Sequence, residues 1–178
     1  MSELIETRLE RREVFNGKLL HVFSDTVRLP DGRTSVREVL EHQGAVCVVP
    51  LKRDGTVVLV RQFRYAVGRD ILEIPAGKID KGETDPVAAA VRELREETGY
   101  TASEIIHLGD CNPSCAYSEE VIHLYLMRGL TKGERELDDD EVIELIEMPF
   151  DEVYEMGVRG EIVDSKTLAA LLMTKGRL

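Results

Sequence analysis

Gly77-Lys78-Ile79-Asp80-Lys81-Gly82-Glu83-Thr84-Asp85-Pro86, then Val87 through Thr98, then Gly99-Tyr100: the reading of this stretch decides the rest. It spells a glycine-bearing loop, a short helix and a glycine stop. Asp85 suits the N-cap, where its carboxylate accepts from free N–H groups of the first turn. Pro86 suits the first helical position, which needs no N–H and whose φ proline already holds. Gly99 suits the residue after the helix, where the chain turns left-handed. Val87, Ala90, Val91, Leu94 and Thr98 recur at three- and four-residue spacing and are expected to form the buried stripe.

The remaining face carries Glu93, Glu96 and Glu97, whose spacing brings three carboxylates to one side. They lie in the last turns, at the negative end of the helix dipole, where cations are favoured and acids are not. Arg92 and Arg95 relieve some of the repulsion without explaining the cluster. A solvated acidic face with pairs such as Arg92–Glu96 is the plain alternative. A hard divalent cation accounts for more, because Mg²⁺ takes oxygen ligands and keeps several waters.

Composition narrows the field. A chain of 178 residues, read as a single domain over 1–178, is long enough to bury a proper core. Its net charge of −11 argues against nonspecific binding to nucleic acid or anionic membranes, which need basic surface. An acidic protein still binds a polyphosphate where metal ions and a few arginines reverse the local field. Cys47, Cys111 and Cys115 read as reduced thiols of a cytoplasmic protein. Together with His107 and His123 the last two match no standard zinc spacing. Met1-Ser2-Glu3 opens no secretory signal, and no apolar run approaches the roughly 18 residues of a membrane span.

Outward from the opening stretch, residues 4–14, 19–29 and 34–42 read as strands, with a turn at Pro30-Asp31-Gly32-Arg33. Ala45 to Leu51 is a continuous apolar run, as a fully buried strand requires. Asp54-Gly55 turns it into a second strand over 56–65, which ends in Arg61-Gln62-Phe63-Arg64-Tyr65. Arg61 and Arg64, leaving an apolar strand just ahead of the loop, are candidates for phosphate binding, since guanidinium forks match phosphate oxygens. A loop over 66–71 and a strand over 71–74 follow. Later strands are expected over 105–109, 121–127 and 142–146. The loop Asp138-Asp139-Asp140-Glu141 precedes the last of these. Helices are expected over 151–156 and, capped by Asp164 or Ser165, through Met173.

Gly77, Glu83 and Arg92-Glu93-Leu94-Arg95-Glu96-Glu97-Thr98-Gly99-Tyr100 resemble the Nudix box. That motif runs glycine, five residues, glutamate, seven residues, then Arg-Glu-apolar-x-Glu-Glu-x-Gly-apolar. Here eight residues, not seven, separate Glu83 from Arg92. The Asp85-Pro86 start assigns the extra residue to the loop, which keeps the helical register and bears only on Glu83. Leu72-Glu73-Ile74-Pro75-Ala76-Gly77 resembles the segment before the box in the ADP-ribose pyrophosphatase group. That group also carries a proline beyond the box. Counting back from Glu120, Cys115 stands in its place, and Pro113 lies two residues early.

The resemblance implies an α/β fold, a Nudix-type α/β/α sandwich with a mixed sheet. It adds an N-terminal antiparallel sheet extension over 1–43 that contacts a second copy, hence a homodimer. It implies Mg²⁺-dependent hydrolysis, Mn²⁺ being the substitute, of a nucleoside diphosphate linked to another moiety. ADP-ribose giving AMP and ribose 5-phosphate comes first. Another sugar nucleotide such as GDP-mannose, or a dinucleotide, is the alternative. A noncatalytic sensor of ADP-ribose is the alternative of another class. In the implied site Glu93 and Glu97 bind metal, with Glu96 sharing and the Ala76 carbonyl as a backbone oxygen. Arg92 holds the carboxylates in place. Glu141 orients or deprotonates the water, with Asp139 or Asp140 as alternates. Arg37, Arg64 and Glu73 contact substrate.

Overall fold

The computed structural model describes residues 4–137 and 141–178, which divide into two compact units. The first holds residues 4–44 together with 112–121. Strands β1 (Thr7–Asn16), β2 (His21–Arg28) and β3 (Thr34–Glu41) form an antiparallel sheet in that order. Asp25, at 4% exposure, is gripped by Arg11 through Nε and Nη2 at 2.9 and 2.8 Å. The grip holds its carboxyl below the usual carboxylate range against the opposing effect of burial. Residues 112–121 join this unit through Leu40, whose N–H donates to Tyr117 O and whose O accepts from Glu119 N.

The second unit contains β4 (Ala45–Pro50), β5 (Thr56–Arg64), β6 (Arg69–Glu73), β7 (Ala76–Lys78), α1 (Pro86–Thr98), β8 (Tyr100–Thr101), β9 (Glu104–Cys111), β10 (Ile122–Arg128), β11 (Thr131–Lys132), β12 (Glu144–Pro149), α2 (Phe150–Val158) and α3 (Ser165–Lys175). A mixed sheet runs β7-β4-β10-β9, with β4 and β10 parallel and the other pairs antiparallel. A three-stranded sheet runs β12-β5-β6, and β8 pairs with β11. Alternate residues of β4 feed two cores. Cys47 and Val49 pack with Leu124, Leu126, Phe150, Val153 and Leu171 of β10, α2 and α3. Val46 and Val48 pack with Ala89, Ala90 and Leu94 of α1 and Tyr125 and Met127 of β10. The sheet is therefore covered on both faces, the α/β/α arrangement expected, and that is why 45–51 is apolar without alternation.

Helix α1 has the expected ends. Asp85 Oδ1 accepts from Val87 N at 2.9 Å, and Gly99, at φ 76°, donates its N–H to Arg95 O at 2.8 Å. Eight residues separate Glu83 from Arg92, and the helix begins at Pro86 after the Asp85 cap. Its buried set differs from the expected stripe: Ala89 and Glu97 are buried, while Val87 is exposed. Periodicity fixes the angle of a side chain about the helix axis, not how far along that axis the covering sheet extends.

Other departures are local. The loop expected over 66–71 is a tight turn, with Gly68 at φ 73°, that makes β5 and β6 a hairpin. Strand β7 is unanticipated; it pairs Ala76 and the first two residues of the opening stretch with β4. The strand expected over 142–146 is β12, two residues later, with Val142 exposed and Ile143 buried.

Candidate active site

The glutamate cluster is built by α1 and β7. Glu97, at 3% exposure, accepts from the Ala76 N–H through Oε2 at 3.2 Å. Val48 N donates to Pro75 O, so Val48 and Pro75 are a hydrogen-bonded pair of the β4–β7 ladder. Antiparallel pairs alternate, which makes Cys47 and Ala76 a non-bonded pair. The Ala76 carbonyl, like its N–H, therefore points away from β4 and toward the edge where Glu97 stands. Gly77 is needed for close approach: a Cβ there would lie 2.0 Å from Glu93 Oε1. Loop backbone and box helix thus meet at the carboxylates.

Arg92 gathers the rest. Its Nη1 donates to Glu93 Oε1 at 2.8 Å and to Glu96 Oε2 at 3.0 Å. Its Nη2 donates to Lys78 O at 3.1 Å and to Glu83 Oε2 at 3.3 Å. Glu83 therefore reaches Arg92 across the eight residues between them. It also accepts from Asp80 N at 3.2 Å, which folds the loop upon itself.

The two inner carboxyls resist ionisation. Burial pushes Glu97 up to about 8, and the charges of Glu93 and Glu141 add to it. The Ala76 N–H and the more distant Arg64 pull the other way without prevailing. Burial also pushes Glu93 up to about 6, against Arg92 and with Glu96 and Glu141. Glu141 is solvent-exposed, and its charge reaches both inner glutamates. The alternates Asp139 and Asp140 lie outside the described residues. Glu97, buried and without a cation in direct contact among the described residues, stands with Glu93 and a backbone carbonyl, and this set of oxygen donors fits a hard divalent cation.

A second constellation adjoins the first. Glu73, at 1% exposure, accepts from Arg64 Nε and Nη2 at 2.6 and 2.8 Å and from Lys166 Nζ. Lys166 also pairs with Asp164 at 3.0 Å. Thr167 Oγ1 accepts from Ile74 N at 3.0 Å and donates to Asp164 Oδ2 at 2.6 Å. Segment 73–76 is thus pinned from α3 at Ile74 and from α1 at Ala76. Arg64, Glu73, Val67, Val163 and Lys166 border a cavity of about 580 Å³, within the size range of small-ligand sites.

Of the remaining sequence candidates, Arg61 stands three residues before Arg64 on β5 and so on the opposite face. There Glu144 of β12 binds it, Nε to Oε2 at 2.9 Å, as an exposed cross-strand pair. Arg37 belongs to β3 of the first unit, where Glu6 holds its guanidinium at 2.6 and 2.9 Å. Lys166 was not anticipated, and Asp164 only as the cap of α3, which it is. A signal for Lys166 was present: a cation in the first turn of α3 stands against the helix dipole, as the acids do at the end of α1.

Comparison with known proteins gives the following. Residues 41–170 match the family described as NUDIX domain, and residues 6–40 match the nucleoside diphosphate sugar hydrolase N-terminal domain. An ADP-ribose pyrophosphatase of Bacillus subtilis (strain 168) is 37% identical over 173 residues, covering 96% of this chain and 93% of that protein. A methanol dehydrogenase activator of Bacillus methanolicus is 40% identical over 174 residues, covering 96% and 94%. A crystal structure of an ADP compounds hydrolase superposes with a TM-score of 0.86 at 23% identity, covering 100% of this chain and 96% of that one, a likeness of fold. Among the described residues no helix is long and apolar enough to cross a membrane.

Proposed function

The chain belongs to the NUDIX domain family, and from that premise we propose that it hydrolyses the diphosphate of ADP-ribose, giving AMP and ribose 5-phosphate. The observation that carries the reading is Glu97, buried, short of positive charge and joined to the loop backbone at Ala76. The pyrophosphatase relative, aligned over almost the whole chain, supports the substrate class. When bound, Mg²⁺, or Mn²⁺ in its place, supplies charge neutralisation and a water of lowered pKa.

The chain's own residues do the rest. Glu93, Glu97, Glu96 and the Ala76 carbonyl hold the ions. Arg92 fixes Glu93 and Glu96 against the loop. Glu141, exposed on its loop, takes the proton of the attacking water or orients it. Arg64, held flat by Glu73 in the wall of the cavity, binds a phosphate oxygen of the substrate.

We place the whole chain, 1–178, in one catalytic unit whose N-terminal sheet pairs with a second copy. Leu9, Val14, Phe15 and Val36 are exposed on that sheet, more apolar surface than three solvated strands call for. A cytoplasmic setting suits the buried Cys47, whose thiol burial pushes up and keeps protonated.

The test is a panel of ADP-ribose, GDP-mannose and dinucleotides incubated with Mg²⁺ and read for product identity. AMP and ribose 5-phosphate as the fastest products support the reading. Faster release of a mannose phosphate moves the enzyme to another sugar nucleotide. Tight ADP-ribose binding with no turnover makes it a sensor, a reading that its full set of box glutamates opposes.

A further inference from the structure

The mixed sheet carries a second group of metal-ligating side chains that the hydrolytic reading does not use. His107 and Asp110 lie on β9 and His123 lies on β10. Asp110 Oδ1 is 2.9 Å from His107 Nε2 and 2.8 Å from His123 Nδ1. One potential ligand atom from each of the three lies within 4.8 Å of the others.

A β-bulge brings them together. His123 stands opposite Asp110 and Leu124 opposite Gly109, but Tyr125 stands opposite His107, which leaves Leu108 unopposed. In unbroken register His107 would face Leu126 on the other side of the sheet. The extra residue turns Leu108 into the core and brings His107 round to the face of Asp110, His123 and Tyr125. Residues three apart on a strand share a face only through such a device.

We propose that His107, Asp110 and His123 bind a borderline divalent transition-metal ion, Zn²⁺ or its neighbours Co²⁺ and Ni²⁺, at a site separate from the glutamate cluster. Bond lengths of about 2.0–2.2 Å put neighbouring ligands about 3.3–3.6 Å apart in the tetrahedral geometry Zn²⁺ prefers, so each imidazole need open from Asp110 by only roughly half an ångström to admit the ion. Two imidazoles and one carboxylate select such an ion over Mg²⁺, which prefers oxygen alone. The three side chains are half-exposed or partly buried, so water completes the coordination and the ion enters freely. As bare hydrogen bonds, contacts this exposed contribute little to stability. After burial, Asp110 and then Asp85 raise the Tyr125 hydroxyl, so Asp110 acts on the same side chain as the N-cap of α1. At about 1.5 Å per residue, Glu97 stands about 18 Å further along that helix.

The test titrates Zn²⁺ into protein held in excess Mg²⁺, so that the glutamate cluster is occupied, and follows heat and histidine NMR signals together. The chain has four histidines. One site of micromolar affinity is expected, with the signals of His107 and His123 shifting and those of His21 and His42 unmoved. His107→Gln and His123→Gln should each weaken binding about tenfold or more, while Mg²⁺-dependent turnover and the circular dichroism spectrum stay as in the wild type. Co²⁺ should give a visible absorption band that these variants lose. Zn²⁺ binding that the double variant leaves unchanged, or no shift at either imidazole, overturns the proposal.

Discussion

Glu73 and Glu97 are buried almost equally, at 1% and 3% exposure, and their carboxyl groups move in opposite directions. Burial pushes both up. For Glu73, Arg64 and Lys166 outweigh it, and its pKa ends below the usual value. Glu97 has a single backbone N–H and a distant guanidinium, and it ends at about 8. The fold has supplied counter-charge to one glutamate and withheld it from the other. A satisfied buried carboxylate is architecture, while a starved one is a place for a cation from outside.

The most damaging way to break this contrast is Glu97→Gln. The amide oxygen still accepts from Ala76 N, so the fold is expected to survive with an unchanged circular dichroism spectrum. Turnover should fall by roughly 10³-fold or more, because a correctly held cation is worth several kcal/mol of transition-state stabilisation. Steady-state kinetics across a Mg²⁺ series checks it. Wild-type rates at low Mg²⁺ would remove Glu97 from the metal site. The mirror experiment is Glu73→Ala, which takes the partner from Arg64 and leaves Lys166 with Asp164 alone. It should cost about 1–3 kcal/mol of stability, read as a shift of the urea midpoint. A near-neutral result would mean that Glu73 is not the anchor of α3.

The glutamate cluster was legible in the sequence because helical spacing and an unfavourable dipole are local facts. The caps at Asp85 and Gly99 were legible for the same reason. The Arg64–Glu73 pairing was not: it depends on the β5–β6 register, with Val60 opposite Glu73, and no local rule supplies it. The separation of Arg61 from Arg64 was available, since three residues along a strand reverse the face. Both arginines sit at one basic end of the strand, and the face rule divides them. Lys166 broke the same dipole rule that exposed the glutamates, at the other terminus of a helix. The His107–Asp110–His123 group was hidden by a bulge that shifts the side-chain alternation by one. For the Arg64–Glu73 pair and the histidine group the deciding information is a pairing between distant segments.

Glu141 sharpens the contrast from a third direction. It is exposed, and it adds negative charge to Glu93 and Glu97, the opposite of what stability alone favours. Glu141→Gln should therefore lower kcat by about 10²-fold, within the span of general acid–base effects, and change KM much less. The same change relieves some of the repulsion on Glu97, so the metal-free protein should unfold at a slightly higher temperature. An unaltered kcat would take the water-handling role from Glu141.

The smallest expected effect is the most discriminating, because the two buried glutamates should give pH dependences of opposite sign. Glu93 and Glu97 are raised from 4.5 to about 6 and about 8, so the fold favours their protonated forms. Their contribution is fully present below the unfolded value and is lost as pH rises through the folded values. Glu73 is lowered, so its contribution is present above the unfolded value and is lost as pH falls through the folded one. Metal-free protein should thus lose thermal stability between about pH 5 and 8, and Mg²⁺ should restore it increasingly as the glutamates ionise. In a chain of this length each kcal/mol moves Tm by about 2–4 °C, so the Mg²⁺ shift at pH 8 should exceed that at pH 5 by several degrees. Glu97→Gln should flatten the curve and raise the metal-free Tm at pH 8. A Mg²⁺ shift independent of pH, or a metal-free Tm that rises toward pH 8, would mean that Glu97 is as well supplied with charge as Glu73 and that the cation binds elsewhere.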